Sequence, residues 1–209
     1  MDGHTQDHKL PEDFDWNDIY TGEEADFTAP DPLLLELTQA LEPGEVLDVG
    51  CGAGGLLAAL AERGWGIHGV DLAPKAIAAA RKILAQRGHQ AELVAADATT
   101  WKPPKQYQLV TNSFALPLRR AEQRAVYQTI RAAVAPGGTV IIKDFDAQMS
   151  RFPAFEGIDM VEIDELREAF EGFEILRAEV VPTPVHDHGQ GNLDEQEWSA
   201  ALLVARRPG

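Results

Sequence analysis

The sequence predicts an α/β fold built on a doubly wound, mostly parallel sheet. From about residue 45, short apolar runs alternate with longer runs of helical periodicity, the pattern of strands joined by crossover helices. Strands linked by helices of this length imply a parallel sheet covered on both faces. At 209 residues and 44% hydrophobic, the chain has material for a real core and the length of one domain with elaborations.

Each element has its own signal. The first 30 residues look irregular until Asp31-Pro32, a capping pair that starts a helix over 32–42. EVLDVG (45–50) is short, apolar and closed by glycine, as a strand should be. LLAALAERG (56–64) is helical with a glycine stop, and GIHGVDL (66–72) is a second strand. A helix over 73–88 carries Pro74 in its first turn, where the missing N–H costs nothing. AELVAAD (91–97) and YQLVTNSF (107–114) are the third and fourth strands. A long helix over 118–138, ended by Pro136 and two glycines, leads to a fifth strand, TVIIKDF (139–145). After Asp146 the order changes: a short acidic helix (161–170) precedes two strand-like runs, 173–184 and 197–208. With no helix between them, these two are expected to pair antiparallel at one edge. The segment joining them is a loop rich in charge and imidazole, and no internal repeat interrupts the chain.

Charge narrows the function. The net charge of −16 argues against a sequence-independent grip on nucleic acid, where phosphates supply most of the affinity. It equally disfavours anionic lipid. The acidity lies in the flanks: residues 1–40 carry −10, 41–149 carry +2 and 150–209 carry −8. One cysteine, Cys51, fits a reducing compartment, and no apolar run is long enough to span a bilayer. The N-terminus has no secretory pattern, so a cytoplasmic location is expected.

Chemistry concentrates in Asp48-Val49-Gly50-Cys51-Gly52-Ala53-Gly54-Gly55, between the first strand and its helix. Such a loop lets backbone approach a ligand closely. Its glycines satisfy a dinucleotide fingerprint, with Asp71 about 20 residues on. Asp48 separates the alternatives. A carboxylate at the strand's end would repel the pyrophosphate of a nicotinamide cofactor, whereas a ligand with an ammonium group and no phosphate would welcome it. S-adenosylmethionine is such a ligand. Asp97, ending the third strand, places a third acid along the same sheet edge. Each aspartate could instead be a turn residue, but three in register with this loop favour a cofactor site.

VLDVGCGAGG, GVDLAP, AADAT and PGGTVIIKDF together resemble the class I S-adenosylmethionine-dependent methyltransferases over about residues 31–145. The resemblance implies a Rossmann-like, seven-stranded sheet whose last strand is antiparallel. It implies that Asp48, Gly50, Cys51, Gly52 and Gly54 surround the methionine part of the cofactor. Asp71 would take the ribose hydroxyls, with Leu72 beside it, and Asp97 with Ala98 would hold the adenine edge. Asn112, just past the fourth strand, would line the methionine and the acceptor. DWNDIY followed by PDPLLLE resembles the small-molecule members of the tellurite-resistance and thiopurine methyltransferase type. There residues 1–30 and 146–209 would form the acceptor side of one domain.

The expected function is therefore methyl transfer to a small molecule. An NAD-dependent oxidoreductase and a non-catalytic cofactor-binding module are the competing readings. A soft, ionised acceptor would need little beyond alignment, whereas a hydroxyl or amine needs proton removal. Candidates for that work are His186 and His188, in the loop before the last strand, and Tyr20. A metal site at HDH is not expected, because i and i+2 spacing on a loop is no ligand signature. Trp16 and Tyr20, four apart, could share a helical face. Cys51, inside a loop that needs small residues, is not expected to be a nucleophile. Asp144 could face the acceptor or cap a turn, and Phe145 and Phe152 are expected to pack in the core.

Overall fold

The computed structural model describes residues 15–21, 29–183 and 198–209. Its seven strands form one sheet: β1 (Glu45–Val49), β2 (Gly66–Asp71), β3 (Ala91–Ala95), β4 (Tyr107–Ser113), β5 (Val134–Phe145), β6 (Glu174–Thr183) and β7 (Trp198–Arg206). The spatial order is β3-β2-β1-β4-β5-β7-β6, and strands β1 to β5 pair parallel. The last strand, β7, lies between β5 and β6 and is antiparallel to both. The expected antiparallel pair is thus present at one edge of the sheet, with β6 outermost.

Two apolar layers sandwich the sheet. On one face, Leu34 of α1 (Pro32–Thr38), Leu57 and Leu60 of α2 (Gly55–Ala61), and Ile77 and Leu84 of α3 (Pro74–Gln86) pack on Val46, Leu109, Ile141 and Leu202. On the other, Val126, Tyr127 and Ile130 of α4 (Arg120–Ala133) and Leu166 of α5 (Ile163–Ala169) pack on Leu47, Val110, Ile142 and Leu203. Full burial of one such side chain is worth about 1.5–3 kcal/mol, so these two layers hold the fold.

Some boundaries move. The first helix ends at Thr38, not residue 42. The long helix ends at Ala133, and Val134–Gly138 join β5 as an irregular lead-in with a register shift opposite Tyr107 and Leu109. Pro136 is accommodated at this irregularity. Gly137 N–H donates to Arg207 O at 2.9 Å, and Arg207 N–H donates to Gly138 O at 2.9 Å. Those bonds give the tail of β5 a partner that local sequence could not reveal.

The acids of the C-terminal flank find basic partners on α4. Glu162 and Glu165, at the start of α5, pair with Arg120 of α4, and Arg124 reaches Glu165 at 3.4 Å. Asp159 accepts from Arg120 N–H at 2.8 Å. These carboxylates gather around the first residues of α4 and α5.

Candidate cofactor and acceptor site

The carboxyl ends of β1, β2 and β4 meet at the glycine loop. Gly50 N–H and Cys51 N–H donate to Val70 O at 2.7 and 3.1 Å, so the loop folds back onto β2. Gly50 has φ +77°, and a Cβ there would lie 2.1 Å from Ala115 Cβ. Gly52 has φ +51°, with the Tyr20 hydroxyl 3.0 Å from where its Cβ would stand. Only glycine lets the backbone take these turns while its neighbours approach so closely.

Asp71, the last residue of β2, organises the loop. Its Oδ2 accepts from Gly52 N–H and its Oδ1 from Ala73 N–H, both at 2.8 Å. Burial pushes its carboxyl above the usual range, and those two hydrogen bonds oppose the push. Asp48 lies one residue before the end of β1 and is buried. Burial raises its carboxyl to about 7; the Thr111 hydroxyl, donating to Oδ1 at 2.7 Å, pulls it down, and the charge of Asp71 pushes it up. A buried acid held this high is stabilised as a carboxylate by any cation that arrives beside it.

Asn112 departs from its expected place. It sits inside β4, fully buried, and its Nδ2 donates to Val49 O at 2.7 Å, tying β4 to β1. Its Oδ1 has no partner among the described residues. The strand ends at Ser113, so Asn112 lies within it rather than just past it, and its side chain clamps β4 to β1 beneath the loop. Asp97 is exposed and closes a turn, accepting from Thr99 N–H at 2.8 Å and from its hydroxyl at 2.7 Å. Leu72 is 57% exposed beside Asp71, an apolar side chain without cover at the crevice.

Cys51 is buried, its thiol held well above the usual value first by burial and then by the charges of Asp48 and Asp71. A thiol so suppressed is inert as a nucleophile, as its position in the loop suggested. Tyr20 lies in a 3-10 segment, Trp16–Thr21, whose backbone leaves helical geometry at Tyr20 (φ −93°, ψ 41°). Three residues per turn and that break remove the shared face expected for Trp16 and Tyr20. Burial raises the Tyr20 phenol, with Asp71 and Cys51 adding to the effect, so the group is a neutral hydroxyl at physiological pH. The segment is pinned to α3 by Lys75 N–H donating to Asn17 Oδ1 at 3.1 Å. His186 and His188 lie outside the described residues.

Further along the sheet edge, Asp144 turns to the loop after β4. Its Oδ2 accepts from Leu116 N–H at 2.9 Å and its Oδ1 from Phe145 N–H at 2.7 Å. Burial raises this carboxyl to about 6 against those bonds and one from Ala115. Asp144 is therefore a loop holder, the second of its two expected roles. Sequence reasoning missed two features here. Lys143, 1% exposed within β5, places Nζ 2.6 Å from Oδ2 of Asp31, the cap of α1. A lysine inside the apolar run TVIIKDF was the available signal. Trp198, at the start of β7, carries the other missed contact, joining Phe145 and Phe155 in an aromatic group.

A family model described as a methyltransferase domain matches residues 46–138, the segment that holds the glycine loop, Asp71 and Asp97. A 2-heptyl-1-hydroxyquinolin-4(1H)-one methyltransferase of Mycobacteroides abscessus is 31% identical over 79% of this chain and 74% of its own length. The chain belongs to the class I methyltransferase family. Other curated relatives of this methyltransferase are matched over half or less of their length: a ubiquinone biosynthesis O-methyltransferase of Azoarcus sp. over 47%, and a ribosomal RNA small subunit methyltransferase of Alcanivorax borkumensis over 21%. Among solved structures, the N-methyltransferase NodS of Bradyrhizobium japonicum with S-adenosyl-L-homocysteine superposes with TM-score 0.72 at 18% identity, covering 92% of this chain and 96% of NodS. TehB of Haemophilus influenzae gives 0.72 at 17% identity over 86% and 63% of the two chains, a shared fold. No helix among the described residues of the methyltransferase is long and apolar enough to cross a membrane.

The residues present fit the family's cofactor, S-adenosylmethionine. Buried Asp48 and half-buried Asp71 flank a loop whose glycines leave backbone uncovered, uncapped Leu72 offers a face to a flat base, and among the described residues no lysine or arginine hydrogen-bonds this loop to neutralise a pyrophosphate.

Proposed function

We propose that this methyltransferase moves a methyl group from S-adenosylmethionine to a small-molecule acceptor at the carboxyl edge of the sheet. The observation that carries the reading is the pairing of Asp48 and Asp71 around the Gly50–Gly54 loop. The cofactor supplies a methyl group on a sulfonium, with a neutral thioether as leaving group. Asp48 accepts the ammonium end. The side-chain-free backbone of the glycine loop lets the amino-acid tail approach closely, and Asp71 takes the ribose hydroxyls with lone pairs left over from Gly52 and Ala73. Leu72 and Ala98 cover the base, whose edge Asp97 receives. Asn112 acts from beneath by fixing Val49, so it positions the loop rather than touching ligand.

Tyr20, neutral and set over Gly52, is placed to offer its hydroxyl to a ligand on the loop. His186 and His188 are the groups on this chain suited to take a proton from a hydroxyl or amine acceptor. Residues 1–30 and 146–209 work with the core as one domain and border the acceptor. The net charge of −16 supports a small-molecule partner over nucleic acid, and with a lone cysteine it supports a cytoplasmic setting.

Calorimetric titration of the full chain with S-adenosylhomocysteine and with NADH tests the reading. One equivalent of S-adenosylhomocysteine should bind and NADH should not. Binding of NADH in preference would establish the oxidoreductase alternative.

A further inference from the structure

An aromatic row begins where the cofactor loop ends. Phe114 follows β4 directly, one residue before the Ala115 that abuts Gly50. Its ring centroid lies 4.8 Å from that of Phe145, at the end of β5. Phe145 in turn lies 5.0 Å from Phe155 and 5.4 Å from Trp198, and Phe155 is 5.5 Å from Trp198. The last two contacts with Trp198 are edge-on, at 79° and 75°. Phe114, Phe145 and Phe155 are each half-buried: Phe145 and Phe155 pack on Met149, Met160 and Trp198, and part of each ring remains exposed. Phe114 is held at φ +50°, a conformation that costs a bulky residue of order 1–3 kcal/mol and persists where surrounding structure imposes it. Lys143 Nζ, 5.2 Å from its ring centroid, is part of what holds it.

The far end of the row is polar. Thr183, the last residue of β6, is the cross-strand partner of Trp198, so their side chains share a face. Phe145 stands on that same face, since its partner Ala200 is two residues from Trp198. Trp198 is 7% and Thr183 6% exposed, yet neither Trp198 Nε1 nor Thr183 Oγ1 has a hydrogen-bond partner among the described residues. A buried indole N–H ordinarily finds an acceptor, and leaving it without one costs about 1–3 kcal/mol. Asp146 Oδ2 and Ser199 Oγ are also unpartnered, but Ser199, one residue on from Trp198, points to the opposite face. A donor and a hydroxyl side by side, at the end of a half-open aromatic wall that starts at the cofactor loop, make the composition of a ligand pocket.

We infer that this row is the acceptor subsite and that it takes a planar aromatic molecule bearing an oxygen, which accepts from Trp198 Nε1–H and hydrogen-bonds the Thr183 hydroxyl. The inference rests on the methyl-transfer reading and names its substrate class. Flat rings match the edge-to-face geometry that the row already uses among its own members. A metalloid anion or a short aliphatic thiol leaves both the rings and the two polar atoms unsatisfied. The row runs from the cofactor loop to Trp198, so the acceptor's reacting group lies at the Phe114 end and a second, anchored oxygen at the Trp198 end.

The test uses the full chain saturated with S-adenosylhomocysteine, titrated calorimetrically with 2-naphthol and with its saturated counterpart 2-decalol. Naphthol should bind at least tenfold more tightly than decalol. The T183V variant, which keeps shape and removes the hydroxyl, and W198F, which removes the indole N–H together with part of the ring, should each weaken naphthol at least fivefold while S-adenosylhomocysteine affinity stays at the wild-type value. Equal binding of the two probes, absence of naphthol binding to the wild-type complex, or wild-type naphthol affinity in both variants would overturn the inference. A general folding defect would lower S-adenosylhomocysteine affinity as well; in that event for W198F, the near-isosteric T183V decides. A wild-type chain that fails to take up S-adenosylhomocysteine would instead overturn the methyl-transfer reading itself.

Discussion

Ala115 Cβ occupies the space in which Gly50 would otherwise carry a side chain: a Cβ built on Gly50 falls 2.1 Å from it. The loop after β4 and the loop after β1 are therefore locked together at one atom. Asp144 holds the first by Leu116 N–H and Asp71 holds the second by Gly52 N–H. Cofactor and acceptor ends of the crevice are thus coupled through a contact that tolerates no added methyl.

Replacing Gly50 by alanine should be costly twice over. The left-handed backbone costs about 1–2 kcal/mol for a residue with a Cβ, and overpacking adds about 1–3 kcal/mol. Chemical denaturation should show both losses. The double variant G50A/A115G should recover the packing part and leave the backbone part, while G50A alone should lose S-adenosylhomocysteine binding.

The buried Lys143–Asp31 pair predicts a second signature. Removing one partner leaves an uncompensated charge in the core and should cost about 3–5 kcal/mol. K143M and D31N should each lower the urea midpoint strongly, and K143M/D31N should lie well above the sum of the two. Additive losses would show that the pair does not interact.

Asp48 and Asp144 make stability depend on pH. Their carboxyls are raised to about 7 and about 6 in the fold, against about 3.9 for a free aspartate. Between about pH 4 and 7 the native state keeps protons that the unfolded chain has released, so stability falls as pH rises through that window. D48N should flatten the upper part of this slope and be more stable than wild type at pH 7.5. It should also bind S-adenosylhomocysteine at least tenfold less tightly. For the wild type, cofactor-product binding at pH 7 should release a proton, read as buffer-dependent calorimetric enthalpy.

Cys51 should resist thiol reagents. Burial and two neighbouring acids suppress its thiolate, so dithionitrobenzoate should label it only as fast as the chain unfolds. C51A should keep methyl-transfer activity. Rapid labelling of the native chain would contradict the packing described for the loop.

Much of this architecture was legible from local pattern. Strands β1 to β4 and helices α2 and α3 follow from runs of apolar residues and their glycine stops, because each is decided by its own residues. What local pattern could not supply is decided by distant pairing. Asn112 becomes a clamp because β4 pairs with β1 and brings Val49 O within its reach, which its neighbours in sequence do not reveal. Val134–Gly138 become strand because Tyr107 and Arg207 offer partners. Lys143 reads as a flaw in an apolar strand until Asp31, 112 positions away, is brought beside it. The site divides likewise: Asp48, Asp71 and the glycines are one motif, whereas Phe114, Phe155, Thr183 and Trp198 meet only through the sheet.

The central claim is methyl transfer, and a radiolabelled assay tests it most directly. The full chain, given methyl-labelled S-adenosylmethionine and a panel of thiols, metalloid oxyanions, phenols, hydroxylated bicyclic aromatics and amines, should transfer label to an aromatic hydroxyl compound, and D71A should lose at least tenfold of that activity. Label retained on the cofactor across the whole panel, by a chain that binds S-adenosylhomocysteine tightly, would contradict it and leave a binding module with the same fold.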